Sequence, residues 1–368
     1  MKKIQIRYIA FWAVILFFAA CTERMIDPIP QVSGSSRSYI FFEPEVIKPA
    51  ATKVGLITGT TLVTPLDQTP SFGVIGYCGS VSLFGNPGAE ATTSKYANGI
   101  AEVTYSSGAY NYSKLAYWQD GTTSHDFYAF YPYSLHASVN HNVTTQGVKP
   151  YVEYAQPTSH DAMVDLLTVK TSTAKADNVD LQFEHRLWAL DVKVVNKQTK
   201  GLLADGTTTD SPTMKVTGVK VIVEQFPTSA YIYLDKGQGT SLVTDDNGAV
   251  VLSSAPLTYT LPVLLPDEAI AKNASKTCGS LLFLPVPSNM FKYKLEIAYL
   301  DSRNQPGTFT TPLQTSSVNF EGGKKYVLSI HKTNDTFVYG TYDDPDGASD
   351  KFTVGDWNDA TKVEHQFN

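Results

Sequence analysis

The chain has 368 residues, with 29 Lys or Arg against 35 Asp or Glu, and its formal net charge at pH 7 is −6. This acidic balance, without a basic stripe, argues against nucleic acid as a partner, and the length suggests about two domains. Aromatic residues make up 12% of the chain, which also contains 25 Gly and 20 Pro. Such a composition favours strands and turns over helices.

The first twenty residues have the order of an export signal. A short basic stretch precedes an apolar run over residues 9–18, and the small pair Ala19-Ala20 directly precedes Cys21. The run is too short to cross a hydrocarbon core of about 30 Å. We therefore predict a lipoprotein signal peptide over residues 1–20 and a lipid on Cys21. The alternative is an ordinary secretory signal followed by a chance cysteine.

Residues 21–37 are rich in Pro, Ser and Gly, which predicts a flexible tether between the lipid and the folded part. The tether ends at Arg37, directly before the strand-like residues 38–42.

Apolar and polar residues then alternate with a period of two in several segments, which are residues 179–183, 190–194, 219–223, 291–299 and 326–330. Successive side chains of a strand point to opposite faces, so each segment is expected to bury one face and expose the other. This pattern predicts an all-β fold of antiparallel sheets packed face to face. A polar stretch at residues 171–178 suggests two tandem β-sandwich domains, residues 38–178 and 179–368.

Three local features make further predictions. The apolar positions are odd-numbered up to Leu187 and even-numbered from Leu190, which predicts a β-bulge or bend near Trp188–Ala189. Residues 265–276 have the composition of a short helix after Pro266. Residues 246–248, Asp-Asn-Gly, predict a turn within the strand–turn unit at residues 240–251.

No set of residues predicts an enzyme, a metal site or a cofactor. Cys78 and Cys278 lie far apart in sequence and are expected to be two buried free thiols, although export would permit a disulfide. His185 shares the parity of the apolar positions before it, so we expect it in the core, bonded to backbone. The Asp-rich residues 343–350 fail the spacing of a calcium loop and favour a solvated turn.

Two adjacent His–Asp pairs, His125-Asp126 and His160-Asp161, are expected to point to opposite faces of a strand and so cannot share one ligand. The aromatic residues at 127–133 could form a surface on which sugars stack, but they are better explained as the core of a central strand.

Several short segments together resemble the fimbrillin-like family, the type V pilus subunit lipoproteins of Gram-negative anaerobes. They follow one another along most of the chain: Phe72–Tyr77, Trp118, Phe127–Tyr133, Asp165–Leu167, Phe183–Leu187, Gly322–Ile330 and Val354–Trp357. Trp188-Ala189-Leu190 departs from the Ala-Lys pairing that is usual in the family at this point.

The resemblance implies two transthyretin-like β-sandwich domains and a pathway of maturation. Such precursors are lipidated, carried to the outer membrane and cut after an arginine by a trypsin-like protease. Loss of the N-terminal strand then opens an apolar groove, which an extended segment of another subunit fills by β-augmentation. The implied partners are other pilus subunits, the outer membrane through the lipid, and the maturation protease.

Arg37 is the residue that best fits the implied cleavage, because it ends the tether and precedes a strand. It could equally be a solvated tether residue. The C-terminal residues 361–368 are a weak donor strand, with only Val363 and Phe367 apolar on one face, which leaves room for a tip or anchor subunit.

Three functions therefore compete: a pilus subunit that exchanges strands, a monomeric surface lipoprotein that binds a glycan or host ligand, and an enzyme. The first two differ in the expected exposure of Trp118, Trp188 and Trp357. Buried tryptophans favour assembly, and an exposed aromatic cluster favours glycan binding.

Overall fold

The computed structural model describes residues 38–46, 71–85, 96–106, 109–119, 124–144, 147–261, 268–339 and 352–356. It divides the chain into two units, Met1–Ser38 and Tyr39–Asn368, and all described strands lie in the second unit.

The described residues form 26 strands and four short 3-10 helices. The strands of the first half are β1 (Phe42–Val46), β2 (Ser71–Cys78), β3 (Val81–Ser82), β4 (Ala101–Ser106), β5 (Ala109–Asn111), β6 (His125–Tyr131), β7 (Val139–Asn140), β8 (Val143–Thr144), β9 (Gly147–Val148), β10 (Tyr151–Ala155), β11 (Leu167–Thr173), β12 (Val179–His185) and β13 (Trp188–Asn196). Those of the second half are β14 (Gly201–Leu202), β15 (Thr208–Thr209), β16 (Lys215–Glu224), β17 (Ser229–Tyr233), β18 (Thr240–Leu242), β19 (Leu257–Leu261), β20 (Ser275–Phe283), β21 (Lys292–Leu300), β22 (Pro306–Thr310), β23 (Gln314–Thr315), β24 (Lys324–Lys332), β25 (Phe337–Tyr339) and β26 (Phe352–Asp356). The 3-10 helices are Ala97–Gly99, Tyr133–Ser138, His160–Ala162 and Lys236–Gln238.

Four larger sheets contain most of these strands, and they confirm the predicted all-β fold. An eight-stranded sheet has the order β1-β12-β11-β6-β2-β4-β5, with β3 on β2. A four-stranded sheet has the order β18-β17-β10-β7. Two five-stranded sheets have the orders β20-β13-β24-β25, with β26 also on β24, and β19-β16-β21-β22, with β23 also on β21.

The sheets do not divide at the predicted domain boundary. Residues 174–178 connect β11 to β12, which are neighbours in the eight-stranded sheet, and the chain leaves that sheet only after His185. The four-stranded sheet takes β7 and β10 from the first half and β17 and β18 from the second. The division into domains 38–178 and 179–368 stays a prediction.

Both faces of the eight-stranded sheet are buried, because large apolar residues occupy consecutive positions of its central strands. Phe127 and Ala129 of β6 belong to one apolar cluster, and Tyr128 and Phe130 belong to another. β2 is divided in the same way, and all of its residues from Phe72 to Tyr77 are buried. This burial confirms Phe127, Tyr128 and Phe130 as core residues of a central strand. Tyr131, at the end of β6, is half-buried, and Tyr133 lies in a 3-10 helix rather than in the strand.

The predicted change of apolar parity marks the passage from one sheet to the next. β12 ends at His185, Arg186 donates its backbone N–H to the carbonyl of Leu166 at 2.9 Å, and β13 begins at Trp188. The chain bends at Leu187, directly before Trp188, which confirms the predicted bend near Trp188–Ala189. A separate register shift occurs in β13 between Val192 and Lys193, opposite β20.

The predicted helix at residues 265–276 is wrong in its described part, residues 268–276. Ile270 forms an antiparallel bridge with Met214, Asn273 adopts a φ of 62°, and β20 begins at Ser275. The Asn196 side chain donates to the carbonyl of Ile270 at 2.9 Å, so tertiary hydrogen bonds override the local helix preference.

The predicted turn at residues 246–248 is confirmed. The Asp245 carboxylate accepts the backbone N–H groups of Asn247 and Ala249, each at 2.9 Å. Gly248 has a φ of 81°, which a residue without a side chain adopts freely.

No helix in the described part of the chain is long and apolar enough to cross a bilayer.

Close approach between β2 and β6 requires a glycine at residue 73. Gly73 pairs with Phe130, and a Cβ atom at residue 73 would lie 2.2 Å from the Phe130 ring. We expect Gly73→Ala to lower the free energy of unfolding by about 1–3 kcal/mol through overpacking. Gly218→Ala is the control, because its Cβ atom would lie 3.6 Å from that of Ala298. Urea denaturation of both variants tests this, and equal stabilities would contradict the close approach.

Candidate functional site

The first described segment of the chain forms the edge of the eight-stranded sheet. β1 pairs in parallel with β12 from Phe42 to Val46, and among the described strands it has no second neighbour in this sheet. Ile40 and Phe42 are buried, whereas Phe41, between them, is half-buried. Alternate side chains therefore insert into the molecule, as expected of a strand laid along an edge.

Phe42 occupies a slot between aromatic rings. Its ring centroid lies 5.5 Å from that of Tyr112, 5.6 Å from that of Phe127 and 6.3 Å from that of Phe84. The rings are tilted or perpendicular to one another, which is the favourable geometry for aromatic pairs. A smaller side chain at residue 42 would leave this slot partly empty.

Residues of β12, β2 and the segment before β6 pack around Ile40 and Phe42 as well. Val179, Leu181 and Phe183 of β12 are fully buried, and the Phe183 ring lies 5.4 Å from that of Phe72. We call the part of the apolar core covered by Ile40 and Phe42 the N-terminal groove. The buried cluster to which Ile40 and Phe42 belong also contains Phe72, Phe84, Tyr112, Ala116, Trp118, Phe127, Val179, Leu181 and Phe183.

Main-chain bonds fix the strand over the N-terminal groove. Ile40 donates its N–H to the carbonyl of Ala116 at 3.1 Å, and Val179 donates to the carbonyl of Phe41 at 2.8 Å. The Tyr112 hydroxyl donates to the carbonyl of Ile40 at 2.6 Å and accepts the N–H of Ala116 at 3.2 Å. Burial raises the pKa of Tyr112, so this hydroxyl remains protonated and able to donate.

A second polar site lies where β12 ends. His185 Nδ1 is 2.8 Å from Asp165 Oδ2, and both side chains are buried. The predicted burial of His185 is confirmed, but its Nδ1 contacts a carboxylate rather than the predicted backbone. Asp165 interrupts an apolar run at residues 162–167, and this is the sequence signal that could have revealed a buried partner.

Two segments that carry the family resemblance meet at this junction. A Cβ atom at Gly322 would lie 2.4 Å from the carbonyl oxygen of Arg186, and Gly323 donates its N–H to the carbonyl of Leu187 at 2.8 Å. The two glycines thus allow the turn before β24 to touch the passage from β12 to β13.

Four residues singled out in the sequence lie outside the described residues, and they are Cys21, Arg37, Val363 and Phe367. Trp357 and the acidic residues 343–350 also lie outside them. Trp118 and Trp188 are 2% and 0% exposed, so both tryptophans whose burial can be assessed are inside the molecule. Buried tryptophans were expected of a subunit that assembles and exposed ones of a glycan-binding protein, so the burial of these two favours the first interpretation.

Cys78 and Cys278 are both free thiols. Cys278 is buried as expected, and burial raises its pKa to about 12, whereas Cys78 is half-buried. Among the described residues, no three or more His, Cys, Asp or Glu side chains are grouped so that they could hold a metal ion.

The two adjacent His–Asp pairs differ in the structure. His125 is buried in β6 and accepts the N–H of Gln119 at 3.3 Å, while Asp126 binds the Ser172 hydroxyl at 2.5 Å. His160 and Asp161 lie in a 3-10 helix rather than a strand, so their side chains contact each other at 3.1 Å. The strand-based expectation is therefore wrong for the second pair.

Comparison with known proteins agrees with this fold. A fimbrial protein from Bacteroides vulgatus has a TM-score of 0.50 at 16% sequence identity, with 78% of this chain and 92% of that chain covered. A candidate cell adhesion protein from Bacteroides ovatus has a TM-score of 0.46 at 14% identity, with 88% and 99% covered. At 16% identity, the likeness to the Bacteroides vulgatus protein shows the fold alone.

No match was found among curated proteins. The sequence profile described as fimbrillin-like matches residues 80–357. The match covers well over half of the chain, and the chain therefore belongs to the fimbrillin-like family.

Proposed function

We propose that the protein is a fimbrial subunit or a tip or anchor component that joins other pilus subunits by strand exchange and serves surface adhesion. It is exported as a lipoprotein, anchored through Cys21 to the outer membrane and exposed at the cell surface in the fimbrium. Its role is structural and uses no cofactor. The observation that carries the proposal is the edge strand over the N-terminal groove.

The edge position of β1 makes exchange physically reasonable. Release of β1 breaks its ladder with β12 and the bonds of Ile40 to Ala116 and Tyr112, and the exposed edge of β12 can then pair with another chain. Burial of Ile40 and Phe42 contributes roughly 1.5–3 kcal/mol each. An incoming strand with apolar residues at the same alternate positions recovers that free energy, so exchange has little net cost and gives a stable joint.

The position of Arg37 changes how the groove would open. A cut after Arg37 leaves Ile40 and Phe42 on the mature chain, so β1 would be displaced rather than discarded. Cleavage would free its N-terminus from the lipid-bearing segment. The next bond that trypsin can cut toward the C-terminus follows Lys53, because Lys48 precedes a proline, and that cut would remove β1 altogether.

A monomeric surface lipoprotein that binds glycan is the second candidate, and one surface favours it. Tyr151, Tyr231 and Tyr233 are half-buried on the four-stranded sheet, with centroid distances of 5.0 and 5.8 Å from Tyr151 to the other two rings. Aromatic faces of this kind stack on sugar rings. The burial of Trp118 and Trp188 favours strand exchange instead.

The test is limited proteolysis of the purified precursor with a trypsin-like protease, followed by mass analysis of the new N-terminus and size measurement. We expect a single cut that produces Ser38, and then oligomers that survive detergent without heating. Arg37→Ala should prevent the cut and remain monomeric. A precursor cut after Arg37 that stays monomeric at high concentration would contradict strand exchange and favour the glycan-binding candidate.

The matched pair Phe42→Ala and Phe41→Ala tests the N-terminal groove itself. Phe42 is 5% exposed, and its truncation should lower the free energy of releasing β1 by up to about 5 kcal/mol. Phe41 is half-buried, so its truncation should lower that free energy less. Phe42→Ala should therefore form oligomers faster after cleavage than Phe41→Ala. Equal rates would mean that release of β1 does not limit assembly.

A further inference from the structure

A cleft of about 670 Å³ opens beside the junction of β12 and β13. Its lining residues include Arg186, Lys236, Thr240, Pro285, Val286 and Glu321. Its volume is in the range of pockets that hold small ligands. The cleft is separate from the N-terminal groove, since the two have no lining residue in common.

Arg186 is a buried charge held by neutral partners. Its residue is 5% exposed, and its guanidinium donates to Thr168 Oγ1 at 3.2 Å and to the carbonyl of Gly239 at 3.0 Å. No carboxylate of the described residues forms an ion pair with it. A guanidinium has five N–H donors, so these two contacts leave part of its fork unused.

The nearest acidic groups are engaged elsewhere. Glu184 binds Lys236 at 2.8 Å, and Asp235 binds Lys170 at 3.3 Å. Both carboxylates act on Arg186 only at longer range, while burial lowers its pKa. A buried charge without a charged partner is costly, and an anion that enters the cleft would relieve that cost.

We propose that this cleft binds a carboxylate ligand, with Arg186 as the bidentate anchor and Lys236 at the rim. The planar fork of arginine matches a carboxylate with two parallel bonds. Glu184 and Glu321 offset the charges of Arg186 and Lys236, so a monoanion fits better than a multiply charged phosphate. The carboxylate can belong to a sugar acid or to an acidic amino acid, and the site does not depend on how subunits assemble.

The test is a titration of the purified full chain with glucuronate or N-acetylglutamate, in which ligand-observed NMR measures binding. Glucose and N-acetylglutamine are their neutral counterparts. We expect saturable binding of at least one acid and none of its neutral counterpart. Binding of glucuronate alone identifies a sugar acid, and binding of N-acetylglutamate alone identifies an acidic amino acid.

Arg186→Gln should weaken binding at least about tenfold, because a charge-assisted bond is lost. Because Arg186→Gln could also disturb the junction of β12 and β13, Thr240→Trp provides a second test. Its larger side chain would occupy the cleft while Arg186 stays unsubstituted. Ser241→Trp is its control: Ser241 is the next residue of β18, is exposed and points to the other face. Failure of both acids to bind, or binding that is unchanged in Arg186→Gln and Thr240→Trp, would overturn the proposal.

Discussion

Burial of the eight-stranded sheet on both faces is the constraint on which the rest of the structure depends. Large apolar residues at consecutive positions of β2 and β6 enter two separate clusters, so neither face of the sheet centre is available to a partner. Association through this sheet is then limited to its edges. One edge is β5, a three-residue strand, and the other is β1, which lies over an aromatic slot.

The junction between β12 and β13 has the complementary role of keeping this sheet joined to the others. The His185–Asp165 contact and the bonds from Arg186 anchor the end of β12. Gly322 and Gly323 then let the turn before β24 approach the same residues. Strands from both halves of the chain also share the four-stranded sheet, so this junction is not the sole link between the halves.

Much of the fold could be predicted from period-two alternation. The segments at residues 179–183, 219–223 and 291–299 are strands or strand starts with one buried face, as expected. The rule failed where a strand is covered on both sides: Asp191, expected to face water, is buried and its Oδ2 lies 2.6 Å from Lys325 Nζ. No local sequence pattern predicts that both faces of a strand are buried, because this depends on which other parts of the chain pack against its sheet. The parallel pairing of β1 with β12 is invisible in sequence for the same reason.

The candidate site was only partly predictable. Strand character after Arg37 was evident from residues 38–42, but the aromatic slot of Phe42 gathers Phe84, Tyr112 and Phe127 from three distant segments. Asp165 gave a usable signal as a carboxylate in an apolar run, whereas the cleft beside Arg186 arises only when the segments at residues 236–242 and 285–287 come together. The spacing of residues along the chain does not predict such contacts between distant segments.

Hydrogen–deuterium exchange of the intact precursor tests the central claim, that β1 is the displaceable edge, most directly. The amide of Ile40 donates to Ala116, and the amide of Val179 donates to Phe41, so both bonds are lost when this segment leaves. If β1 opens locally, these two amides should exchange through openings of lower free energy than the amide of Tyr128 in the sheet centre. Their exchange should also depend only weakly on denaturant. Equal protection of all three amides, with one common denaturant dependence, would mean that β1 leaves only when the whole protein unfolds, and would contradict the account.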